Sequence, residues 1–419
     1  MLDIKFIRQN PDLVKAGLKK RQVNVDIDKI INLDKTKREI LRELDDLRSQ
    51  RNIISKKVSL IITDEEKEKA RLLKEKIKQK ETELNNIESE LNKLLFQLPN
   101  LPLDEVPEGE NEKDNVVVKE VGSKPKFGFE PKSYLEISQR HNLIDIERAS
   151  KISGSRFGIL KNEAVFLEFA IINFTFDFLV KKGFIPVIPP TMIKEEMMKA
   201  MGYVDTESDL AERYYLEKDK LFLVGTAEQS IGPMHKDEIF DEKELPKRYI
   251  GFSSCFREEA GSYGKDTKGI LRVHQFDKIE MFSFCHPEQS KKEHLFFLQM
   301  EEGLMKQLKL PYRVVSLCSA DLARPSAATY DIETYLPSEN LYRETHSTSN
   351  CTDFQARRLN IRFREKAGKI SYIHTLNGTA FAIGRIIIAI LENYQRKDGK
   401  VGVPKVLQKY LGFKTIPRR

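Results

Sequence analysis

The sequence has 419 residues and no tryptophan, and its four cysteines are Cys255, Cys285, Cys318 and Cys351. None of them forms a Cys-x-x-Cys pair, which argues against a disulfide framework or a cysteine-based zinc site and favours reduced thiols. The longest apolar run, 386–391, is far shorter than the roughly 20 residues that cross a bilayer. The first residues lack the basic and then apolar pattern of a signal peptide. We therefore expect a soluble, cytoplasmic protein with no membrane contact.

The sequence is rich in charged residues. Charged residues make up 32% of the chain, yet the net charge is only +7, and hydrophobic residues make up 40%. A chain of this length and composition can bury a sizeable core in two or three domains, which argues against global disorder. The charge balance permits contact with nucleic acid but does not require it.

Two apolar seams with coiled-coil spacing run through the first hundred residues. The first seam consists of Leu33, Ile40, Leu44, Leu47 and Ile54. The second consists of Leu73, Ile77, Leu84, Ile87, Leu91, Leu94 and Leu98. A polar break at 59–64 separates them, and Thr63 with Glu66 has the capping-box pattern that begins a helix. The seams predict an antiparallel coiled coil over about 27–98, because each buries the other most simply in that arrangement.

The charge of this predicted arm is uneven. Between Arg48 and Lys80 there are eleven Lys and Arg against five Asp and Glu, whereas the returning stretch 81–98 has four Glu against Lys93 alone. A basic tip on a more acidic stem suits a phosphate backbone. A dimerisation coil or a simple spacer is the alternative, since most coiled coils serve one of these purposes.

A linker ends the arm. Pro99, Pro102, Pro107 and the acidic stretch 108–112 mark a domain boundary near 105. This predicts an N-terminal helical domain, 1–105, and a second domain, 106–419. The second domain alternates predicted helices (164–180, 192–201, 291–308, 380–395) with predicted strands (221–224, 314–318, 330–336), which indicates an α+β fold with a mainly antiparallel sheet flanked by helices.

The stretch 256–282 reads as a strand, a glycine-rich loop and a returning strand. The loop contains Gly261, Gly264 and Gly269. Period-2 alternation predicts that one face of the returning strand carries Arg272, His274, Phe276, Lys278 and Glu280. The other face then carries Leu271, Val273, Ile279 and Met281. Such a polar face suits a cleft that binds a phosphate and a flat base, but an exposed hairpin with salt bridges would show the same pattern.

Three separated stretches resemble the signature motifs of the class II aminoacyl-tRNA synthetases. The stretch 183–190 is similar to motif 1, Phe256-Arg257-Glu258-Glu259 with the strand carrying Phe276 to motif 2, and Gly384-Arg385 to motif 3. Within that class, the stretches 226–228, 260–264, 274–278 and 350–358 resemble the seryl-tRNA synthetase family. The helical arm and the exit at 98–100 match as well, so the resemblance covers nearly the whole chain.

This resemblance implies a two-step reaction. L-Serine and ATP, with Mg²⁺, give seryl-adenylate, and the seryl group then moves to the 3′-terminal adenosine of tRNA(Ser). It also implies a homodimer built through motif 1, with the arm reaching the long variable arm of a tRNA on the partner subunit. Charging of a selenocysteine tRNA, tRNA(Sec), stays open. The alternative is a synthetase-like paralogue that charges a non-tRNA acceptor.

The resemblance also implies roles for individual residues. Arg257, Arg385 and Glu344 would be catalytic, since Arg257 would bridge the serine carboxylate and the α-phosphate and Arg385 would hold the γ-phosphate. The implied serine-binding residues are Thr226, Ala227, Glu228, Arg257, Glu280 and Thr379. The implied ATP-binding residues are Arg257, Glu258, Glu259, Arg272, Val273, Phe276, Glu344, Thr345, His346, Ser347 and Arg385. The implied ligands of the metal are Glu344 and Ser347.

Two stretches depart from the family pattern. Thr345 and His346 follow Glu344 where the family has an aliphatic residue and a serine. The stretch 323–328 ends in Ala328, where the family commonly has a lysine, and we expect Arg324 to compensate for the lost phosphate contact. Both changes leave the metal and phosphate contacts in question.

Overall fold

The computed structural model describes residues 1–57, 63–260 and 268–417. The chain divides into two compact units, Met1–Pro99 and Asn100–Arg419, which are described separately. Residues 59–62 of the predicted polar break lie outside the described residues, and so does most of the predicted glycine-rich loop, including Gly261 and Gly264. The side chain of Glu66 in the predicted capping box is also outside them.

The first unit is helical. Its helices are α1 (Ile4–Gln9), α2 (Pro11–Lys20), α3 (Ile27–Lys57) and α4 (Asp64–Gln97). Ion pairs show how α3 and α4 run relative to each other. Lys29, near the start of α3, pairs with Glu90, and Arg48, further along α3, pairs with Glu81, which comes earlier in α4. The two long helices are therefore antiparallel.

The predicted seams meet between α3 and α4. Ile40, Leu44 and Ile77 form a buried cluster, and Leu47, Leu84 and Ile87 pack against it. The seam residues lie inside because apolar side chains spaced by three and four return to one face of a helix. The predicted coiled-coil arm is confirmed.

The second unit mixes helices and strands. Its helices are α5 (Tyr134–His141), α6 (Ile146–Ser153), α7 (Glu163–Val180), α8 (Glu195–Met201), α9 (Glu207–Ala211), α10 (Glu228–Ile231), α11 (Ser290–Leu308), α12 (Phe354–Leu359) and α13 (Ile383–Asn393). Its strands are β1 (Val116–Val121), β2 (Ile144–Asp145), β3 (Ile159–Leu160), β4 (Ile185–Val187), β5 (Met192–Lys194), β6 (Tyr215–Leu216), β7 (Leu221–Leu223), β8 (Ile239–Asp241), β9 (Lys247–Phe256), β10 (Gln275–Cys285), β11 (Tyr312–Ser316), β12 (Ala328–Leu336), β13 (Leu341–Asn350), β14 (Arg362–Arg364), β15 (Ile370–Tyr372), β16 (His374–Ala382), β17 (Val401–Gly402) and β18 (Thr415–Ile416).

Eight of the described strands form one large sheet in the order β1-β11-β12-β13-β16-β10-β9-β4. Its pairs are antiparallel except for β4 with β9, which run parallel at one edge. Apolar residues of α7, α11 and α13 pack with the sheet in one continuous core. The predicted α+β class with a mainly antiparallel sheet is confirmed. No described helix is long and apolar enough to span a bilayer.

Several element predictions were wrong at their boundaries; the strand predicted at 314–318, for example, is β11 (Tyr312–Ser316). In two cases part of a predicted helix is a strand. The helix predicted at 192–201 begins with strand β5, because Met192–Lys194 pairs with β7. The helix predicted to begin near Ala380 begins at Ile383 instead. Residues 380–382 extend strand β16 because they lie beside β10 in the centre of the sheet, where tertiary pairing overrides the helical preference of alanine.

Candidate active site

Two adjoining cavities lie on the large sheet, where β9, β10, β16 and β13 are neighbours. The larger cavity has a volume of about 450 Å³ and the smaller about 50 Å³. Six residues line both cavities: Arg257, Glu259, Arg272, Lys278, Glu344 and Thr379. Three cations and two carboxylates therefore line both cavities, as expected for a site that holds a charged ligand with both anionic and cationic groups.

Two irregularities in the strands aim side chains into this space. Thr345 is an extra residue on β13, because Glu344 and His346 pair with consecutive residues of β12. Residues three apart on a regular strand face opposite sides, but the extra residue brings Glu344 and Ser347 to the same larger cavity.

Ala380 is the matching extra residue on β16, because Thr379 and Phe381 pair with consecutive residues of β10. As a result Thr379 and Ala382 both line the smaller cavity. These shifts in register cannot be read from a period of two, which is why sequence reasoning missed them.

Arg257 lies at the junction of the two cavities. Its backbone N–H donates to His274 O at 2.9 Å, and its side-chain Nε donates to Gly225 O at 3.3 Å. The guanidinium lies over the ring of Phe276 at 5.2 Å. The end of β9 thus holds a permanently charged fork in a fixed direction, which suits recognition of a carboxylate or phosphate.

The segment before β10 is irregular rather than extended. The predicted alternation therefore fails there, and Arg272 and Val273 line the smaller cavity together. Arg272 Nη1 donates to Glu259 Oε2 at 3.1 Å. Phe276 also lines the smaller cavity and gives it an aromatic wall. Glu259, Arg272, Val273 and Phe276 are thus brought together as predicted for one site.

Glu344 and Arg385 form the other wall of the smaller cavity. Arg385 Nη1 is 3.2 Å from Glu344 Oε2 and also donates to the Glu344 carbonyl at 2.9 Å. Partial desolvation would raise the pKa of Glu344, whose side chain is half-exposed, but the charges of Arg385 and then Arg257 outweigh it and lower the pKa. Glu344 is therefore an ionised carboxylate beside two guanidiniums.

Three of the predicted site residues, as the structure describes them, line neither cavity. His346 is fully buried, with its ring 5.2 Å from that of Phe381 and its Nδ1 2.8 Å from Thr345 Oγ1. Burial lowers the pKa of His346 to about 3, so it is a neutral core residue. Ala227 packs in an apolar cluster with Ile231.

Glu258 is the third, and its carboxylate lies against Tyr214, whose pKa is raised by burial and then by the charge of Glu258. The side chains of all three point away because they are held by other parts of the fold. Thr345, by contrast, lines the smaller cavity, with its hydroxyl 2.8 Å from that of Thr334.

Carboxylates and hydroxyls collect at the inner end of the larger cavity. Thr226, Glu228, Glu280 and Thr379 all line it, as predicted for one binding site. Burial and then the charge of Glu280 raise the pKa of Glu228 to about 7. Glu228 Oε1 accepts hydrogen bonds from the hydroxyl of Tyr203 at 2.7 Å and from Asn377 Nδ2 at 3.0 Å.

Sequence reasoning assigned no role to Lys278, which lines both cavities. Its Nζ lies 2.6 Å from Glu280 Oε2 and donates to Thr226 Oγ1 at 3.4 Å. A role for Lys278 could have been predicted from the sequence, because it lies between Phe276 and Glu280 on the polar face of the strand. Tyr203 and Arg213, which come from outside the central strands, could not have been predicted in this way.

The structure shows where the residues of the departing stretch 323–328 lie. Ala328 pairs with Asn350 within the sheet, and its side chain is buried. Arg324 Nε lies 3.3 Å from Asp209 Oδ2, and Arg324 is missing from the described linings of both cavities. The expectation that Arg324 compensates for the lysine is therefore not supported.

The described residues include no cluster of three or more His, Cys, Asp or Glu that could hold a metal ion by itself. The wall carrying Glu344 and Ser347 offers a carboxylate and a hydroxyl, which are hard oxygen donors of the kind that Mg²⁺ prefers. A magnesium ion could fit there if a ligand supplied further oxygens.

The chain is similar in sequence to a well-defined group of proteins. Residues 1–102 match the family model of the seryl-tRNA synthetase N-terminal domain, and residues 213–394 match that of the tRNA synthetase class II core domain (G, H, P, S and T). The chain is 46% identical to serine–tRNA ligase of Dictyoglomus turgidum, over 99% of both chains.

Solved structures agree. Seryl-tRNA synthetase of Pyrococcus horikoshii complexed with ATP superimposes with a TM-score of 0.92 at 41% identity, covering all of both chains. The cytoplasmic serine–tRNA ligase of Naegleria fowleri in complex with AMP gives a TM-score of 0.89 at 34% identity, covering 100% of this chain and 99% of that one.

Proposed function

Because the chain belongs to the seryl-tRNA synthetase family of class II aminoacyl-tRNA synthetases, we propose that its two cavities carry out the family reaction at the residues named above. The protein activates L-serine with ATP and transfers the seryl group to the 3′-terminal adenosine of tRNA(Ser). The observation that carries the residue assignment is Arg257, which lies where a polar, carboxylate-lined cavity meets a cavity with an aromatic wall.

The first step needs alignment rather than a side-chain base. The carboxylate of serine is already ionised and attacks the α-phosphate of ATP, with pyrophosphate leaving. Arg257 binds both anions with its planar fork and holds them within reach, and it stabilises the charge that develops on the phosphate. Phe276 supplies the surface for the adenine, and Arg385 holds the γ-phosphate.

Mg²⁺ would be held by Glu344 and Ser347 together with phosphate oxygens of ATP. When bound, it neutralises phosphate charge and so makes the α-phosphate easier to attack. Glu344 is suited to this because its lowered pKa keeps it ionised.

Serine is selected at the inner end of the larger cavity. Glu280 is almost fully buried, and Thr379 lies opposite it on the neighbouring strand. Glu228 and Glu280 accept hydrogen bonds from the ammonium group, and Thr379 binds the hydroxyl. A site that hydrogen-bonds a substrate hydroxyl discriminates strongly against alanine, whereas the extra methyl of threonine is worth only about 1–3 kcal/mol and must be excluded by close packing.

The arm binds tRNA(Ser), and the enzyme works as a cytoplasmic homodimer. Support for the dimer comes from α7 and the nearby edge strand β4, where large apolar side chains are exposed: Phe166, Phe169, Val180, Ile185 and Ile188. An apolar patch next to an unpaired strand edge is typical of a surface that another chain covers.

Charging of tRNA with labelled serine tests this function. We expect serine-dependent exchange between ATP and pyrophosphate, and esterification of serine to a tRNA(Ser) transcript. Robust exchange without esterification would favour a paralogue that hands serine to a non-tRNA acceptor. A tRNA(Sec) transcript in the same assay decides whether that tRNA is also charged.

A further inference from the structure

Arg213 reaches the larger cavity from an irregular segment between α9 and β6. Its Nη1 donates to the Glu212 carbonyl at 3.3 Å, and its guanidinium lies 5.3 Å from the ring centre of Tyr203. The Nε atom is shielded from solvent and has no hydrogen-bond partner among the described residues. A buried donor of a charged group left without a partner is costly, so the described residues leave this guanidinium incompletely paired.

The backbone around Arg213 is fixed to the strands of the site. The Glu212 carbonyl accepts from Glu258 N–H at 3.2 Å, next to Arg257, and the Tyr214 carbonyl accepts from Leu223 N–H at 3.0 Å. Arg213 N–H itself donates to the Leu210 carbonyl at 3.0 Å. The segment is therefore held in place on both sides of Arg213, and the side chain is presented by a fixed backbone.

Arg213 and Arg257 both approach Gly225. A Cβ atom added to Gly225 would lie 3.4 Å from Arg213 Nη1 and 3.6 Å from Arg257 Cγ. The two arginine side chains therefore come within contact distance of the same position on the backbone.

Arg213 and Arg257 both line the larger cavity, and two guanidiniums in one cavity raise its positive potential. Burial, and then the charge of Arg257, lower the pKa of Arg213. An arginine does not lose its proton in a protein, so the repulsion must be offset by negative charge. Glu212 and Asp209 offset part of it. An anion bound between the two arginines would offset more, because both forks could donate to it.

We infer that Arg213 is a second arginine that, together with Arg257, binds an anionic oxygen of the reacting substrates. The inference rests on the proposed function of the cavity. The ligand is an oxyanion with one negative charge, and the reaction offers two sources. One is the serine carboxylate with the α-phosphate, and the other is the terminal phosphodiester of the tRNA acceptor end.

The variants Arg213→Met and Arg213→Lys separate these sources. Exchange between ATP and pyrophosphate needs only serine and ATP, whereas charging also needs tRNA. Loss of a charge-assisted hydrogen bond is expected to lower the affected kcat/KM by about 10- to 100-fold, with a smaller loss for lysine, which keeps the charge but not the fork.

A fall in kcat/KM for serine in both assays assigns the oxyanion to the carboxylate and α-phosphate. A fall in charging alone, through the KM for tRNA, assigns it to the phosphodiester. Either result supports the inference. Wild-type values in both assays overturn it, as does an equal rise in the KM of serine, ATP and tRNA, which would indicate general distortion of the site.

Arg396→Met is the matched control, since Arg396 is a half-exposed arginine whose partner is Asp398, and it is missing from the described linings of both cavities. Melting temperatures show which variants fold, and if Arg213→Met does not, Arg213→Lys decides by the same outcomes. Absence of serine-dependent exchange in the wild type would contradict the proposed function. Normal exchange and charging in the wild type and in the Arg213 variants would contradict only the inference about Arg213.

Discussion

Two neighbouring glutamates on α11 should respond oppositely to the same substitution. Glu301 is fully buried, and neither of its carboxylate oxygens has a hydrogen-bond partner among the described residues. Glu302 is also buried, but its carboxylate accepts from Lys119 Nζ at 2.8 Å and from the Tyr312 hydroxyl at 2.9 Å. The variants Glu301→Gln and Glu302→Gln therefore form a matched pair.

The pH dependence follows from burial. Burial, and then the charges of Glu280 and Asp331, raise the pKa of Glu301 well above its ordinary value. Above an ordinary glutamate pKa of about 4.3, the unfolded chain releases the proton while the folded protein keeps it, so the folded state binds more protons. The free energy of unfolding then falls as pH rises, by up to about 1.4 kcal/mol per pH unit, until the pH passes the folded pKa.

Glu301→Gln removes this dependence, because glutamine resembles a protonated carboxyl group and does not titrate. We expect the variant to gain stability over the wild type as the pH rises from about 6 to about 8. Glu302→Gln should lose about 1–3 kcal/mol, because it weakens a hydrogen-bonded ion pair in a buried position.

Calorimetric unfolding of the wild type and both variants at several pH values measures these effects. The reasoning is refuted if the difference between Glu301→Gln and the wild type is independent of pH, or if it shrinks as the pH rises. A stabilising Glu302→Gln would show that the pair with Lys119 does not offset the cost of burying that carboxylate.

Three further predictions concern activity. Arg385→Ala should raise the KM for ATP more than that for serine in the exchange assay, because Arg385 lies beside Glu344 at the proposed phosphate end of the site; equal rises would indicate collapse of the site. Deletion of residues 30–96 should spare exchange and abolish charging, and charging that survives would make the arm merely structural. Since burial and Glu280 raise the pKa of Glu228 to about 7, kcat/KM for serine should fall as the pH drops below that value, where the protonated group no longer attracts the ammonium. Glu228→Gln should remove this break in the profile, and a break that persists would assign it to another group.

The arm was predictable because its structure depends on residues that are close together in the sequence. The seam residues Ile40, Leu44 and Ile77 recur at helical spacing, and that spacing fixes which face is buried. Several cavity residues were predictable from motif resemblance: Arg257 directly after β9, Phe276 and Glu280 on β10, and Arg385 in α13 all line a cavity.

What the sequence could not reveal depends on contacts between distant segments. The extra residues Thr345 and Ala380 shift the register of two strands, and a pattern of period two gives no sign of either. The shift at Thr345 brings Ser347 to the cavity, while His346 lies in the core against Phe381. Arg213 enters from a segment with no regular structure, so its approach to Arg257 depends on the folded backbone.

The most direct measurement of the central claim is exchange of labelled pyrophosphate into ATP with serine, alanine, threonine and glycine in turn. Serine should drive exchange best, and alanine should be poorer by on the order of 10⁴-fold in kcat/KM, because the groups that bind the serine hydroxyl would be left without a partner. Threonine should be excluded by its extra methyl group. Exchange driven as well by alanine, threonine or glycine as by serine would contradict a site built for serine.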